Sequence, residues 1–329
     1  MKRRHLPLAI AAMIAAVAAP VQAQSTAAYP SKPITFVVPF PPGSPTDVAA
    51  RIAATIVGDA LKQTVVVDYK SGASGAIAAR YVAQAAPDGY TFLATSSSTH
   101  VAAPALNKSL PYDVNKDFTP ISPVAKSDMV VVGSPRLAVK GLAPLIEHIK
   151  QNPGRVSYGS SGEGSVLHLG GALFASAIGG NIMHVPYRGA SPATVDLLGG
   201  QVDLMFDTVS NAAPNVRMGK IQPFAVLAPQ RSAVLPDVPT SVELGYPAIT
   251  VPPVWLGLMA PANMPREIVE KITTALQQGV QRKDIQDRLA LSGMQADALT
   301  SEAFGQRNRA EQKIFDELVR KTGIKLGGQ

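Results

Sequence analysis

Two hydrophobic periods alternate along this chain. Short, almost wholly apolar runs such as ITFVVPF (residues 34–40) are followed by stretches such as TDVAARIAATIVGDAL (46–61), where apolar side chains fall three and four apart. The first pattern predicts a buried strand and the second a helix with one apolar face. The unit repeats, with strands expected at 65–68 and 90–95 around a helix at 75–86. Further on come a helix at 142–151 before a strand at 156–159, a helix at 192–198 before 202–206, and a helix at 212–218 before 221–227. The helices stop at PDG (87–89), NPG (152–154), GG (199–200) and Gly219. Glycine placed just past a helix takes the left-handed conformation that ends it. Strands that alternate with helices of about ten residues predict an α/β fold of mainly parallel sheets flanked by helices.

The pattern changes near the end. After a strand at 254–260 the spacing is helical throughout, over 265–281, 283–291 and 302–321, with Pro265 at a first-turn position. A helical tail behind two α/β blocks predicts a return that covers the first block, through crossings near 126–131 and 245–251. The expected division is 24–130 with 251–329 as one lobe and 131–250 as the other.

The first 23 residues read as a secretory signal peptide. Lys2, Arg3 and Arg4 precede an apolar run from Leu6 to Ala19, and Val21 and Ala23 occupy the −3 and −1 positions of a cut before Gln24. That segment is too short and wrongly flanked to span a membrane. An exported, periplasmic chain is expected. Cleavage would remove three basic residues and no acid, bringing the formal net charge from +7 to +4. So small an excess, with no basic block longer than two residues in the mature chain, does not suit nucleic acid. Cysteine is absent, which rules out disulfides, thiolate metal sites, a thiol nucleophile and a lipid-bearing cysteine. Aromatic residues are only 5%, with Trp255 the sole tryptophan, so a stacking platform for sugars or bases is not expected.

In parallel α/β sheets ligands collect where strand ends turn into helices. Three such turns are rich in glycine and hydroxyls: FPPGSPTD (40–47), TSSSTH (95–100) and GSSGEGS (159–165). A helix start has unpaired N–H groups and partial positive charge, so it can hold an anion without lysine or arginine. A small carboxylate held by N–H and O–H donors is implied, with Ser44, Ser96 and Ser98 among the hydroxyls. Alternatively, Thr46, Asp47 and Ser165 simply cap their helices. Ser44 is expected to be a loop hydroxyl with no share in fold stability. Arg188 and Lys70 are the cations nearest the expected cleft. Enzyme signatures fail: GEGSVL lacks the third glycine of a dinucleotide loop, GSSGE and GASGA miss the GxSxG elbow, and there is no HExxH. A secreted serine-type hydrolase using a serine and His168 stands as the rival reading.

The blocks YPSKPITFVVPFPPGSPTDVAARI, AAPDGYTFLATSSSTH, LPYDVNKDFTPIS, VSYGSSGEGSVLHLGGALF, HVPYRGASPATVDLLGGQVDLMFD and LPDVPTSVELGYP resemble the Bug family, the extracytoplasmic solute receptors of tripartite tricarboxylate transporters. The resemblance runs from about Tyr29 to the C-terminus. It implies a two-lobed periplasmic binding protein of type II-like architecture, not an enzyme and without a cofactor or metal. It also implies a carboxylate enclosed between the lobes, partly through ordered water, and delivered by a monomer to permease subunits or a sensor. Carried over residue by residue, it points to Phe40, Gly43, Thr46 and Asp47 in the first lobe. In the second it points to Ser160, Gly164, Ser165 and His168, with Tyr187, Gly189 and Asp207 as walls. The chain departs from the family pattern at Ser44-Pro45, at the 69–72 turn, and at Glu163, an acid inside the third loop.

Overall fold

A computed structural model describes residues 29–324; the expected signal peptide lies outside them. In chain order the elements are β1 (Ile34–Val38), α1 (Pro45–Leu61), β2 (Val65–Tyr69), α2 (Ala76–Ala83), β3 (Thr91–Ser96), α3 (Ala103–Leu106) and β4 (Phe118–Ser127). Then follow β5 (Met129–Gly133), α4 (Leu142–Gln151), β6 (Ser157–Ser160), α5 (Val166–Ile178), β7 (Met183–Pro186), α6 (Ala190–Leu198), β8 (Leu204–Thr208), α7 (Val209–Arg217) and β9 (Gln222–Val226). The chain closes with β10 (Val254–Pro261), α8 (Arg266–Gly279), α9 (Lys283–Leu291), β11 (Gln295–Ala296) and α10 (Ser301–Thr322).

These strands form two sheets, ordered β11-β4-β10-β3-β1-β2 and β7-β6-β8-β5-β9. Each gives one lobe of an α/β, two-lobed binding-protein fold. The sheets are mixed where mainly parallel ones are expected. β2-β1-β3 and β7-β6-β8 run parallel, while β10, β4 and β11 in one sheet and β5 and β9 in the other are antiparallel. Of these, β4, β5, β9 and β10 belong to the segments that pass between sheets, where no helical crossover is needed, and β11 is a short edge strand between α9 and α10. β4 and β5 were not expected as strands. Pro120 and Pro123 obscure β4, which tolerates them because its ladder with β10 shifts register beside each. There Gly257 meets Pro123 so closely that a Cβ would lie 2.7 Å from the proline Cα.

Strand alternation divides the core. On β1, Phe36 and Val38 face α1 and α8 and pack with Ile52, Ile56, Leu256 and Leu276. Val37 points the other way. It joins a cluster that runs from Leu93, Trp255 and Phe304 of the first lobe to Val131, Tyr158, Phe174 and Phe206 of the second. α10 lies across β4 and α3 and also touches α5. The chain passes from β4 to β5 through Asp128 alone. This crossing places the ends of β1, β3, β6 and β8 around one cleft.

Candidate functional site

Four helices begin at this cleft. α1 starts at the cap Ser44, α5 at Ser165, α6 at Gly189 and α7 at Thr208. The cavity between them is lined by Phe40, Ser44, Pro45 and Thr46, by Ser96 and Ser98, by Ser161, Leu167, Ala190 and Thr208, and by Val254 and Leu256 of β10. No Lys, Arg, Asp or Glu side chain among the described residues lines it. Its volume of about 40 Å3 admits about three water-sized groups. First-turn N–H groups lack intrahelical partners and carry partial positive charge. Hydroxyls supplement them here, with no cation present.

Chemistry at the first turn follows directly from its sequence. Pro45 fixes Ser44 in extended geometry (φ −68°, ψ 156°) and occupies the first helical position, where its missing N–H costs the helix nothing. The Ser44 hydroxyl oxygen accepts the Asp47 N–H at 3.3 Å. Ser44 is therefore a buried helix cap, which corrects its expected lack of structural importance. Asp47 turns away from the cavity. One carboxylate oxygen accepts the Gly43 N–H at 2.8 Å; the other accepts Arg51 Nε at 3.0 Å and the Tyr69 hydroxyl at 2.6 Å. Arg51 also donates to Tyr69. Gly43 and Asp47 thus brace the turn, while Phe40, Ser44 and Thr46 face the cavity.

Hydroxyls at the next turn are buried, and Ser96 and Ser98 line the cavity. The Ser98 hydroxyl oxygen accepts the Val166 N–H at 3.2 Å, across the cleft from the first lobe to the start of α5. A second bridge joins the lobes where Ser74 donates to the Glu163 carbonyl at 2.5 Å. Gly162 permits this approach, since a Cβ there would lie 2.8 Å from the Ser74 hydroxyl, and its φ of +128° is itself a glycine conformation.

In the third turn Ser165 caps α5 by accepting the His168 N–H at 3.2 Å. His168 Nδ1 accepts the Gly164 N–H at 3.1 Å, and its ring stacks on His184 at 3.7 Å between centroids and 9° between planes. Burial pushes His168 down to about 4, opposed by the charge of Glu163. Burial and then the neighbouring His168 push His184 to about 3. The Ser160 hydroxyl lies 2.7 Å from His184 Nε2. This serine–histidine contact has the wrong surroundings for a hydrolase: Ser160 is fully buried, lines neither cavity, and faces an imidazole too acidic to act as a base near neutrality.

A larger groove of about 390 Å3 continues outward from Phe40 and Ser161. Gly72, Ala73 and Ser74 form one side, Gly162, Glu163 and Gly164 another, and Tyr187 and Arg188 close it. The Tyr187 hydroxyl donates to Asp196 at 2.7 Å; burial and then this carboxylate push it up to about 12. Lys70 lies elsewhere, paired with Asp68 at 3.2 Å and over the Tyr81 ring.

Of the expected residues, Phe40, Ser44, Thr46, Ser96 and Ser98 line the inner cavity, and Gly164 and Tyr187 line the groove. Gly43 is exposed and lines neither, while Asp47, Ser160, Ser165, His168, Gly189 and Asp207 stand behind the surface. Asp207 is 1% exposed and spends its oxygens on the Thr208 N–H and the Asn211 side chain. Burial pushes it up to about 7. Its neighbour Thr208 reaches the cavity instead, as do Ser161, Leu167 and Ala190. Strand alternation was the signal for Ser161: Tyr158 and Ser160 share one face of β6, turned towards His184, so the next residue faces the cleft.

Residues 49–324 match the family described as "Tripartite tricarboxylate transporter family receptor". Protein BugT of Bordetella pertussis is 37% identical over 313 residues, covering 95% of each chain. A protein of R. palustris solved with adipate superposes with TM-score 0.87 at 32% identity, covering 90% of this chain and 99% of that one. MatC from Rhodopseudomonas palustris, with bound malate, gives TM-score 0.84 at 32% identity over 88% and 100%. The matched family is one of receptors, and none of these likenesses supports the hydrolase reading.

Proposed function

Because the chain belongs to the tripartite tricarboxylate transporter receptor family, whose members are substrate-binding proteins and not enzymes, we propose that its own ligand is a small carboxylate. The ligand is captured between lobes 24–130 plus 251–329 and 131–250, after removal of the signal peptide before Gln24. The observation that carries this reading is the meeting of four helix starts and several hydroxyls on a cavity lined by neutral side chains. An anion there gains from dipoles and donors that need no reorganisation. The rest of the molecule extends past Phe40 into the groove at Arg188 and Glu163. Since the ligand touches both lobes, it favours the closed arrangement. In the periplasm a monomer then hands it to the permease.

Malate, adipate and their uncharged diamides distinguish this reading from a generic polar pocket. A carboxylate at a hundred times its Kd should stabilise the fold by about 2.7 kcal/mol, raising the melting temperature, and should be recovered chemically unchanged. Equal stabilisation by the diamides, or none by a wider panel of organic acids, would overturn the proposal.

A further inference from the structure

The stacked imidazoles behind the third turn touch neither cavity, yet they hold the segment that forms one wall of both. His168 Nδ1 takes the N–H of Gly164, and Ser160, in contact with His184, takes that of Gly162 at 3.1 Å. The two glycines flank Glu163, whose carbonyl receives the bridge from Ser74. Ser161, on the same segment, lines the inner cavity and the groove. Two N–H groups are therefore pinned from behind so that the segment presents its other side to the cleft.

We propose that His168 and His184 are positioning residues: a neutral stacked pair that fixes residues 160–165 in the binding-competent shape through the acceptor nitrogen of His168. The inference rests on the carboxylate reading above only for its effect on affinity. An imidazolium has two N–H donors and no acceptor, so protonating His168 turns its bond with the Gly164 N–H into an opposition of donors. The groups facing His168 are Glu163 on its own turn, Tyr158 of β6, and His184 of β7. Burial keeps the ring neutral despite Glu163. At the equivalent place in the first turn, the acceptor is the carboxylate of Asp47, which needs Arg51 and Tyr69 against it. The imidazole performs the same task without adding negative charge behind an anion site.

Two substitutions separate the acceptor from the ring. His168→Asn places an oxygen near the position of Nδ1, whereas His168→Phe keeps a flat ring and removes the acceptor. Amide exchange at Gly164, followed by NMR without ligand at pH 7, should be at least tenfold faster in the phenylalanine variant and close to wild type in the asparagine variant. In the wild type the Gly164 amide shift should titrate near pH 4, and in His168→Asn that step should vanish. Malate or adipate affinity should fall tenfold or more in His168→Phe and largely return in His168→Asn. Unchanged Gly164 exchange in His168→Phe, or equal loss of affinity in both variants, would overturn the proposal. If no acid of the wider panel binds the wild type, the carboxylate reading fails, and the exchange and titration still decide the role of the histidines.

Discussion

At the start of α1, Asp47 stands three residues beyond the cap Ser44 and takes the N–H of Gly43, the residue before the cap. At the start of α5, His168 stands three residues beyond the cap Ser165 and takes the N–H of Gly164, again the residue before the cap. The hydrogen-bond plan is shared, a variation on the capping box. The electrostatics are opposite. The first turn uses an anion, whose charge is favoured by the helix start and balanced by Arg51, more than half exposed on the surface. The second uses a neutral ring stacked on another neutral ring among Tyr158 and Phe206. One lobe thus secures its side of the cleft with a charge network open to solvent. The other does so by burial. The difference predicts that the two lobes lose their grip under different conditions.

Removing the first lock should give the largest effect. Asp47→Ala leaves the Gly43 N–H, the Tyr69 hydroxyl and Arg51 without their acceptor, which should cost about 2–3 kcal/mol and lower the melting temperature by several degrees. Asp47→Asn, which can still accept from Gly43, should lose roughly half of that. Identical unfolding curves for wild type and both variants would show that the first turn is held by its cap alone. The second lock should reveal itself through pH. Below its ordinary value of 6.5 the unfolded His168 takes a proton that the folded protein refuses until about pH 4. Its contribution to stability therefore falls as the pH drops through that window and levels off beneath it, by about 3 kcal/mol at most. Asp207, pushed up to about 7 by burial, acts in the opposite sense, losing stability as the pH rises from its ordinary 3.8. The quantity to measure is consequently the difference between wild type and His168→Asn, by denaturant unfolding from pH 7 to 4. It should move in favour of the variant as the pH falls; a constant difference would mean that the ring is not held neutral.

The caps themselves sharpen the contrast. Ser44 and Ser165 make matching bonds to the third helical N–H, so changing either to alanine should cost about 1 kcal/mol of stability. Only Ser44 also lines the inner cavity. Ser44→Ala should accordingly weaken carboxylate binding by about 1–2 kcal/mol, the scale of a hydrogen bond to a charged group, while Ser165→Ala should leave affinity nearly unchanged. Calorimetry on both variants checks this. Equal losses would mean that capping, and not contact, explains Ser44.

Much of this was legible in the sequence because it is local. The cap Ser165 was one of the readings its loop offered, and α1 was expected from Thr46, one residue inside its observed start, with Ser44 taken for a loop hydroxyl; the place of both turns at strand ends follows from the α/β alternation. What was not legible depends on pairing across long sequence distances. β4 was hidden because Pro120 and Pro123 argue against a strand until Gly257 and the shifted register of β10 are known. Asp207 was expected as a cleft wall from the family resemblance, but Asn211, four residues on, takes its carboxylate, and Thr208 lines the cavity instead. The role of His168 was invisible for the same reason. Nothing near it in the sequence announces His184, sixteen positions later, and only the parallel pairing of β6 with β7 brings that ring alongside.

Salt should produce the smallest effect, and its smallness is informative. If the carboxylate is held mainly in the inner cavity, its partners are helix N–H groups and hydroxyls, with no charged side chain among the described lining residues. Such partners are dipolar, close and shielded from the ionic atmosphere, whereas exposed charge pairs weaken over a Debye length of about 8–10 Å at physiological ionic strength. Affinity should then change less than about twofold between low and physiological salt. Any residual dependence should come from Arg188 in the outer groove, and Arg188→Gln should abolish it while leaving the inner contacts intact. A tenfold loss of affinity with salt in the wild type, removed by Arg188→Gln, would transfer the carboxylate from the helix starts to the guanidinium. The two braced turns would then be walls of a pocket whose grip lies further out.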